Sequence, residues 1–199
     1  MDDRAHQVLE ESLCYDGFFK IRSYTLRHTL FAGGWSPAIH RELFMRDDAV
    51  GVLPYDPLRD EVLLVEQFRV GLLPRHSRPW VLELVAGIVE PGESAEDVAA
   101  REAVEETGSP LKELIPVHQY YSSPGGSSEY FYLLLGRVDT ASAGGIHGLV
   151  GEGEDIKVHV FPLTRALAMM HAGEIINAHT LIALQWLQLN KPQVLEQWR

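Results

Sequence analysis

Apolar and polar residues alternate, or form short apolar runs, along much of the chain, and this pattern predicts a protein rich in strands. Over residues 17–30, Phe19 and Ile21 alternate with basic residues, as in a half-buried strand. A second strand is predicted at residues 38–45, after a glycine-rich turn. Further strands are predicted at residues 49–54, 61–69, 80–86, 114–121, 129–138 and 157–161.

Helical patterns occupy fewer segments. Residues 95–107 form the clearest one, since Ser94 is a suitable N-cap, acids occupy the first turn and Gly108 supplies a stop. Helices are also predicted at residues 2–13, 164–172 and 178–189. The last of these is apolar on nearly all sides, so we expect it in the core.

The order of these elements favours an α/β fold, with a mixed sheet and helices packed on both faces. The first two predicted strands form a small sheet ahead of the main domain. Because two strands alone are marginally stable, that sheet must lean on the main domain or on a second subunit. We therefore divide the chain into an N-terminal β subdomain, residues 1–47, and a main domain, residues 48–199.

Composition narrows the classes of function. The chain has 199 residues, is 46% hydrophobic and carries a net charge of −11, which argues against a nucleic-acid binder. Cys14 is the single cysteine, so the chain holds no internal disulfide and no cysteine metal cage. The first residues lack the pattern of a signal peptide, and no segment approaches the ~18 apolar residues of a membrane span. We expect a cytoplasmic protein.

Candidate chemistry concentrates between Gly87 and Gly108, where four acids and an arginine surround one short helix. Glu102 and Glu106 are four residues apart and must share a face of that helix. Two carboxylates at ~4 Å repel by about 4 kcal/mol at an effective dielectric near 20, so a bound cation is the natural remedy. Oxygen ligands select magnesium or manganese.

The alternative is an ordinary surface helix with a solvated acidic face. The fixed spacing of the upstream Gly87, Glu93 and Arg101 favours the site instead. We expect Arg101 to pair with a nearby glutamate and orient it, and Glu93 to brace the loop before the helix.

This stretch resembles the Nudix box, whose pattern is glycine, five residues, glutamate, seven residues, Arg-Glu, an aliphatic, any residue, Glu-Glu, any residue, glycine and a final aliphatic. The residues in register are Gly87, Glu93, Arg101, Glu102, Glu105, Glu106 and Gly108. Ala103 is smaller than the common aliphatic, and Ser109 is polar where an aliphatic is expected. The resemblance implies an α/β/α sandwich that hydrolyses a diphosphate.

Two loops after the box extend the resemblance. Pro124 lies about fifteen residues past the box, as in the ADP-ribose pyrophosphatases of this family. The acidic segment Glu-Gly-Glu-Asp that starts at Glu152 is similar to the family's catalytic loop. The resemblance then implies that Glu152 is the general base, with Glu105 and Arg101 in the catalytic set. The implied ligands of Mg²⁺, or alternatively Mn²⁺, are the carbonyl of Ala86 and the carboxylates of Glu102, Glu106 and Glu154.

Nearly the whole chain resembles the bacterial dimeric ADP-ribose pyrophosphatases. In that family the N-terminal sheet is swapped within a homodimer, and adenine lies in a cleft made by both subunits. The match implies stacking of Phe18 and Phe19 on adenine and a contact of Glu129 with the terminal ribose. The remaining implied substrate residues are Arg41, Glu42 and Arg46 for polar edges, Arg69 and Ile88 along the cleft, and Ser123, Pro124 and Gly125 from the partner.

The expected reaction is Mg²⁺-dependent hydrolysis of ADP-ribose to AMP and ribose 5-phosphate. One alternative is a diphosphatase of GDP-mannose or another nucleotide sugar. The other is a non-catalytic ADP-ribose sensor, a class that usually loses the metal-binding glutamates and gains a DNA-binding segment. This chain keeps every glutamate of the box and has no basic recognition helix.

Overall fold

The computed structural model describes residues 4–199, apart from the side chain of Glu152. The chain divides into two compact units. The first contains the residues up to Asp48 together with Tyr120–Tyr130, and the second contains Ala49–Gln119 and Phe131–Arg199. A loop from the middle of the chain therefore joins the N-terminal unit, which the sequence did not indicate.

The first unit is a three-stranded antiparallel sheet in the order β1 (His6–Asp16), β2 (Lys20–His28) and β3 (Ile39–Met45). The helix predicted at residues 2–13 is wrong over its described part, because β1 occupies it; residues 2 and 3 lie outside the described residues. Register shifts between Val8 and Glu10 and between Leu13 and Tyr15 interrupt the two-residue alternation. These bulges obscured the strand signal in the sequence.

The loop between Tyr121 and Tyr130 adds to the edge of β3. The Phe44 N–H donates to the Gly126 carbonyl at 2.9 Å, and the Ser128 N–H donates to the Phe44 carbonyl at 3.1 Å. The Ser128 hydroxyl also accepts a bond from the Arg46 N–H at 2.7 Å. Backbone bonding thus fixes this loop to the strand.

The second unit holds a mixed sheet whose strands are β4 (Ala49–Asp56), β5 (Glu61–Phe68), β6 (Trp80–Glu83), β7 (Val85–Ile88), β8 (Glu113–Tyr121), β9 (Tyr130–Arg137), β10 (Gly145–His147) and β11 (Ile156–Pro162). Six of them lie in the order β10-β11-β5-β4-β9-β8, in which β4 and β9 are parallel. Outside this order, β6 pairs with β5 and β7 pairs with β4. Short 3-10 helices lie at Val70–Leu72 and Val150–Glu152.

The single strand predicted at residues 80–86 is two strands. β4 and β5 pair at Tyr55/Val62 and Asp56/Glu61, while further along β6 pairs with β5 and β7 with β4. The break falls at Leu84, whose N–H donates to the Thr180 hydroxyl at 2.8 Å instead of to a strand. The short β10 was not predicted, since three residues are too few to show an alternation.

Three helices cover the sheet: α1 (Ala95–Thr107), α2 (Leu163–His171) and α3 (Ala178–Gln197). Every residue of β4 is buried, so both faces of the sheet are covered. Val50 and Val52 pack in one cluster with Val98 and Ala99 of α1. Tyr55 stacks on Trp198, just after α3, with 6.3 Å between ring centroids. The predicted α/β/α sandwich with a mixed sheet is confirmed.

The C-terminal helix is longer than predicted, because α3 continues through Pro192 to Gln197. Leu184 and Leu187 are buried, as expected, but Leu189 is largely exposed. Among the described residues, none of the helices combines the length and the apolar character that crossing a membrane requires.

Asp56 closes the turn between β4 and β5 and is 1% exposed. Its carboxylate accepts bonds from the N–H groups of Leu58 and Arg59 and from both the N–H and the hydroxyl of Thr140. Burial alone would raise the pKa of Asp56, but the N–H donors of Thr140, Leu58 and Arg59 and the Arg59 guanidinium lower it to about 2.

Candidate active site

Helix α1 positions most of the predicted catalytic residues. Ser94 is its N-cap, and the Ser94 and Asp97 side chains form a reciprocal capping box. Gly108 ends the helix in a left-handed conformation with φ of 65°. Both predicted ends are confirmed, because they depend on residues that are neighbours in the chain.

Arg101 binds three glutamates at once. Its Nε and Nη2 donate to the two oxygens of Glu93, each at 3.1 Å. Its Nη1 donates to Glu102 Oε1 at 2.7 Å and to Glu105 Oε2 at 3.2 Å. The Glu90 N–H also donates to Glu93, which ties the preceding loop to the helix. The expected pairing of Arg101 with nearby glutamates is thus present.

Glu106 is the most deeply buried acid of the helix, with 2% of its surface exposed. Burial, followed by repulsion from Glu102, raises the pKa of Glu106 to about 8. The Ala86 N–H, which donates to Glu106 Oε2 at 3.3 Å, and the charge of Arg69 act in the opposite direction. Burial also raises the pKa of Glu102. A carboxylate pair thus sits where isolated negative charge is unfavourable.

Gly87 leaves room for one of these carboxylates. A Cβ atom at this position would lie 1.9 Å from Glu102 Oε1 and 2.3 Å from its Cδ. Gly87 does not have a left-handed φ, so its requirement is space rather than backbone freedom. The glycine that opens the motif therefore permits close approach of the Glu102 side chain to β7.

Glu154 lies on the loop that follows the 3-10 helix Val150–Glu152. Its Oε2 accepts the Leu149 N–H at 3.0 Å, and its charge raises the pKa of both Glu102 and Glu106. The Gly148 N–H donates to the Glu105 carbonyl, which connects this loop to α1. The side chain of Glu152, the predicted general base, lies outside the described residues.

Among the described residues, no group of three or more His, Cys, Asp or Glu side chains is arranged so that it could hold a metal ion. The chemistry of the donor set nevertheless fits a hard divalent cation. Glu102 and Glu106 repel each other and Glu154, and only Glu102 of the three is bound by Arg101. Carboxylate and carbonyl oxygens are the ligands that magnesium and manganese prefer.

Two predicted substrate residues lie in the same unit as α1. Arg69 follows β5, and its Nε donates to Glu83 Oε2 at 2.7 Å. Ile88 ends β7 and is 43% exposed. Glu83 was missed by the sequence reasoning, although an acid within the apolar segment Trp80–Glu83 was an available signal.

The first unit groups another part of the predicted substrate set. The Arg46 guanidinium carbon lies 4.8 Å from the Phe19 ring centroid, and its Nη2 lies 2.8 Å from Glu129 Oε1. Phe18 packs edge-on against Phe19 and is 88% exposed. Phe44, which was not predicted, contacts Phe19 with 5.0 Å between ring centroids.

The remaining predicted residues of this unit are more dispersed. Arg41 and Glu42 are consecutive in β3, where the pairing with β2 has no bulge, so their side chains point to opposite faces of the sheet. Glu42 shares the face of Phe44. Ser123, Pro124 and Gly125 form an exposed turn closed by the Gly126 N–H on the Ser123 carbonyl.

Comparison with known proteins gives consistent similarities. A NUDIX domain profile matches residues 45–183. The chain is 46% identical over 192 residues to an ADP-ribose pyrophosphatase of Escherichia coli strain K12, covering 96% of this chain and 92% of that protein. The ADP-ribose pyrophosphatase of Haemophilus influenzae is also 46% identical, covering 97% and 90% of the two chains.

Two other similarities are more distant. A GDP-mannose pyrophosphatase of Salmonella choleraesuis is 31% identical, covering 91% of this chain and 94% of that protein. A crystal structure of an ADP compounds hydrolase has a TM-score of 0.71 at 20% identity, covering 94% of this chain and 95% of that one. At that identity the structural likeness shows the fold alone.

Proposed function

Because the chain belongs to the NUDIX family, we propose that it hydrolyses the diphosphate of ADP-ribose to AMP and ribose 5-phosphate. The observation that carries the proposal is the pair of carboxylates, Glu102 and Glu106, on one face of α1, where Arg101 binds and orients Glu102. The 46% identity to ADP-ribose pyrophosphatases over 96% of the chain supports the choice of substrate.

Mg²⁺, or alternatively Mn²⁺, is the proposed cofactor, with the carboxylates of Glu102, Glu106 and Glu154 and the carbonyl of Ala86 as its ligands. When bound, the cation supplies charge neutralisation for the phosphate oxygens and lowers the pKa of a coordinated water. The burial of Glu106 on the same helix face as Glu102 supports a cation at this position, since a nearby positive charge offsets the cost of burying an ionised carboxylate.

The remaining catalytic roles fall to residues around this pair. Glu152 is proposed to take the proton of the attacking water. The next residue, Gly153, has φ of 74°, a left-handed backbone conformation that favours glycine. Arg101 holds Glu102 and Glu105 in fixed orientations. Substitution of Glu152 by Gln should lower kcat by orders of magnitude; retained turnover would assign the base elsewhere.

We also propose that the first unit binds the nucleoside. Phe18 and Phe19 offer exposed ring surface, and stacking of a base on an aromatic ring contributes about 1–3 kcal/mol. Arg46 and Glu129 already form an ion pair beside Phe19, which presents polar edges next to that surface. Arg41, Glu42 and the turn Ser123, Pro124 and Gly125 complete the proposed contacts of this unit, and Glu129 is proposed to contact the terminal ribose. In the second unit, Arg69 and Ile88 are the proposed substrate contacts.

A homodimer that exchanges the three-stranded sheet between subunits is the proposed assembly. Every residue of β1 is exposed, including Val8, Leu9, Leu13 and Tyr15, so this strand presents apolar side chains to solvent. Exposed apolar surface of this kind marks protein interfaces. Sedimentation equilibrium giving only the 22.3 kDa mass of one chain would refute the dimer. A cytoplasmic location stays a prediction.

The first experiment incubates the wild type and Glu106→Gln with ADP-ribose and with GDP-mannose, with Mg²⁺ or with chelator, and resolves the products by chromatography. We expect AMP from ADP-ribose, and a loss of several orders of magnitude in the variant because a neutral amide is a poor metal ligand. The matched control is Glu96→Gln, the same change at an exposed position of α1, which should keep wild-type turnover.

The other outcomes separate the alternatives. Cleavage mainly of GDP-mannose would assign the chain to nucleotide-sugar hydrolysis, which the 31% identical relative makes the second candidate. Tight binding of ADP-ribose without turnover would favour a sensor. Wild-type activity in a folded Glu106→Gln variant would refute the metal site.

A further inference from the structure

Arg69 is held by a buried carboxylate outside the Nudix motif. Glu83 lies on β6 and is 8% exposed, and its Oε2 accepts a bond from Arg69 Nε at 2.7 Å. The Arg69 backbone N–H donates to the Pro79 carbonyl at 2.9 Å. Both the backbone and the side chain of Arg69 are therefore fixed to the segment that leads into β6.

The second oxygen of Glu83 is bound from helix α3. Asn177 Nδ2 donates to Glu83 Oε1 at 2.9 Å. Asn177 is also the N-cap of α3, and its Oδ1 accepts bonds from the N–H and the hydroxyl of Thr180, both at 2.9 Å. Because its oxygen is used by the helix, the amide of Asn177 must present its nitrogen to Glu83.

This arrangement leaves the far end of Arg69 available. The hydrogen bond to Glu83 uses Nε, and within the described part of the chain neither terminal nitrogen of Arg69 forms a hydrogen bond or ion pair. The Arg69 side chain is 46% exposed. The strand β6 that holds Arg69 continues through Leu84 into β7, where the Ala86 N–H donates to Glu106 Oε2 at 3.3 Å, so Arg69 is fixed to the segment that carries the carboxylate pair's backbone donor.

We propose that Glu83 and Asn177 are positioning residues, which hold Arg69 so that its terminal amino groups bind the diphosphate of the substrate. This inference rests on the proposed function. A planar guanidinium binds phosphate oxygens through paired N–H groups, so its orientation decides whether both bonds form. A side chain that is fixed before binding also loses less freedom when the substrate arrives.

A double-mutant cycle on kcat/KM separates positioning from general stability. Glu83→Gln replaces one acceptor oxygen by an NH2 group, which would face either Arg69 Nε or Asn177 Nδ2, both of them donors. We expect it to lower kcat/KM for ADP-ribose by about 10- to 100-fold, the range for a hydrogen bond to a charged group. In an Arg69→Ala background the same change should lower kcat/KM by less than about 2-fold, because the residue being positioned is absent.

A second variant separates the cap from the contact. Asn177→Ser can still cap α3 but has no amide to donate to Glu83. Its loss in kcat/KM should likewise disappear in the Arg69→Ala background. As a control, Glu113→Gln breaks an Arg–Glu pair of the same kind, with Arg137, and should leave kcat/KM unchanged.

The result that overturns the inference is an equal loss in both backgrounds, or no loss from Glu83→Gln in the wild-type background. Melting temperatures of all variants show whether a loss follows unfolding. The same cycle is measured on the dissociation constant of ADP-ribose in chelator, which requires no turnover. Absence of turnover in the wild type would then refute the proposed function, whereas equal losses of affinity in both backgrounds would refute the positioning role.

Discussion

Gly87→Ala tests the geometry of the carboxylate pair without removing any of the proposed catalytic groups or metal ligands. The added Cβ would lie 1.9 Å from Glu102 Oε1, and real contacts of this kind essentially never fall below 3.0 Å. The Glu102 carboxylate must therefore move by at least about 1 Å, away from its bond with Arg101. Misplacement of a catalytic group by ~1 Å can lower the rate about 100-fold, or about 2.7 kcal/mol in activation free energy.

The assay compares kcat/KM for ADP-ribose with the melting temperature of the same preparation. Gly136→Ala in β9 is the matched control, since its Cβ would lie 2.9 Å from methyl groups of Leu111 and Val52 and crowds the core without touching a carboxylate. We expect Gly136→Ala to lower the melting temperature and keep kcat/KM. Gly87→Ala should lower kcat/KM and keep the melting temperature. A folded Gly87→Ala variant with wild-type kcat/KM would show that the position of Glu102 does not control the reaction.

Two further predictions concern stability and orientation. Asp56→Asn replaces one carboxylate oxygen by an NH2 group that faces N–H donors. The free energy of unfolding should therefore fall by about 3 kcal/mol in a denaturant titration, with Asp47→Asn at an exposed position as the control. The pKa of Asp56 is lowered from 3.8 to about 2 in the folded protein, so the stabilisation by its carboxylate is present above about pH 4 and is lost as pH falls through about 2. The same pH dependence of the free energy of unfolding in the wild type and the variant would contradict this. Arg101→Lys offers three donors without a planar fork, so it cannot reproduce the four bonds that Arg101 makes to Glu93, Glu102 and Glu105. We expect kcat to fall by about 10- to 100-fold without unfolding, checked by kinetics beside circular dichroism; unchanged kcat would exclude the orienting role.

Local features of the fold were predictable where neighbouring residues decide them. The ends of α1 follow from Ser94 and Gly108, which act within one helical turn. The pairing of Arg101 with Glu105 follows from their four-residue spacing. β1 was mistaken for a helix because its bulges break the alternation, and pairing with β2 overrides local preference.

The proposed substrate residues show the same division. Phe19 and Arg46 could be named from a sequence resemblance, but their contact with each other and with Phe44 arises from strand pairing and the packing of rings. The opposite orientations of Arg41 and Glu42 follow from the register of β3 against β2. A sequence pattern alone does not give that register, because it depends on which strands pair.

The sequence by itself determined which charged groups the candidate site contains: the spacing of Glu93, Arg101, Glu102 and Glu106 fixes which charges share α1 and its preceding loop. Only the tertiary structure decided how those charges are surrounded. The burial of Glu106, the space left by Gly87 and the support of Arg69 by Glu83 and Asn177 all require segments distant in the chain to meet. Glu83 and Asn177 are 94 residues apart, and their contact exists because α3 packs with its N-cap beside β6. Local hydrogen bonding and helical spacing are encoded within a few residues, whereas burial and long-range contacts appear only when the whole sheet is assembled.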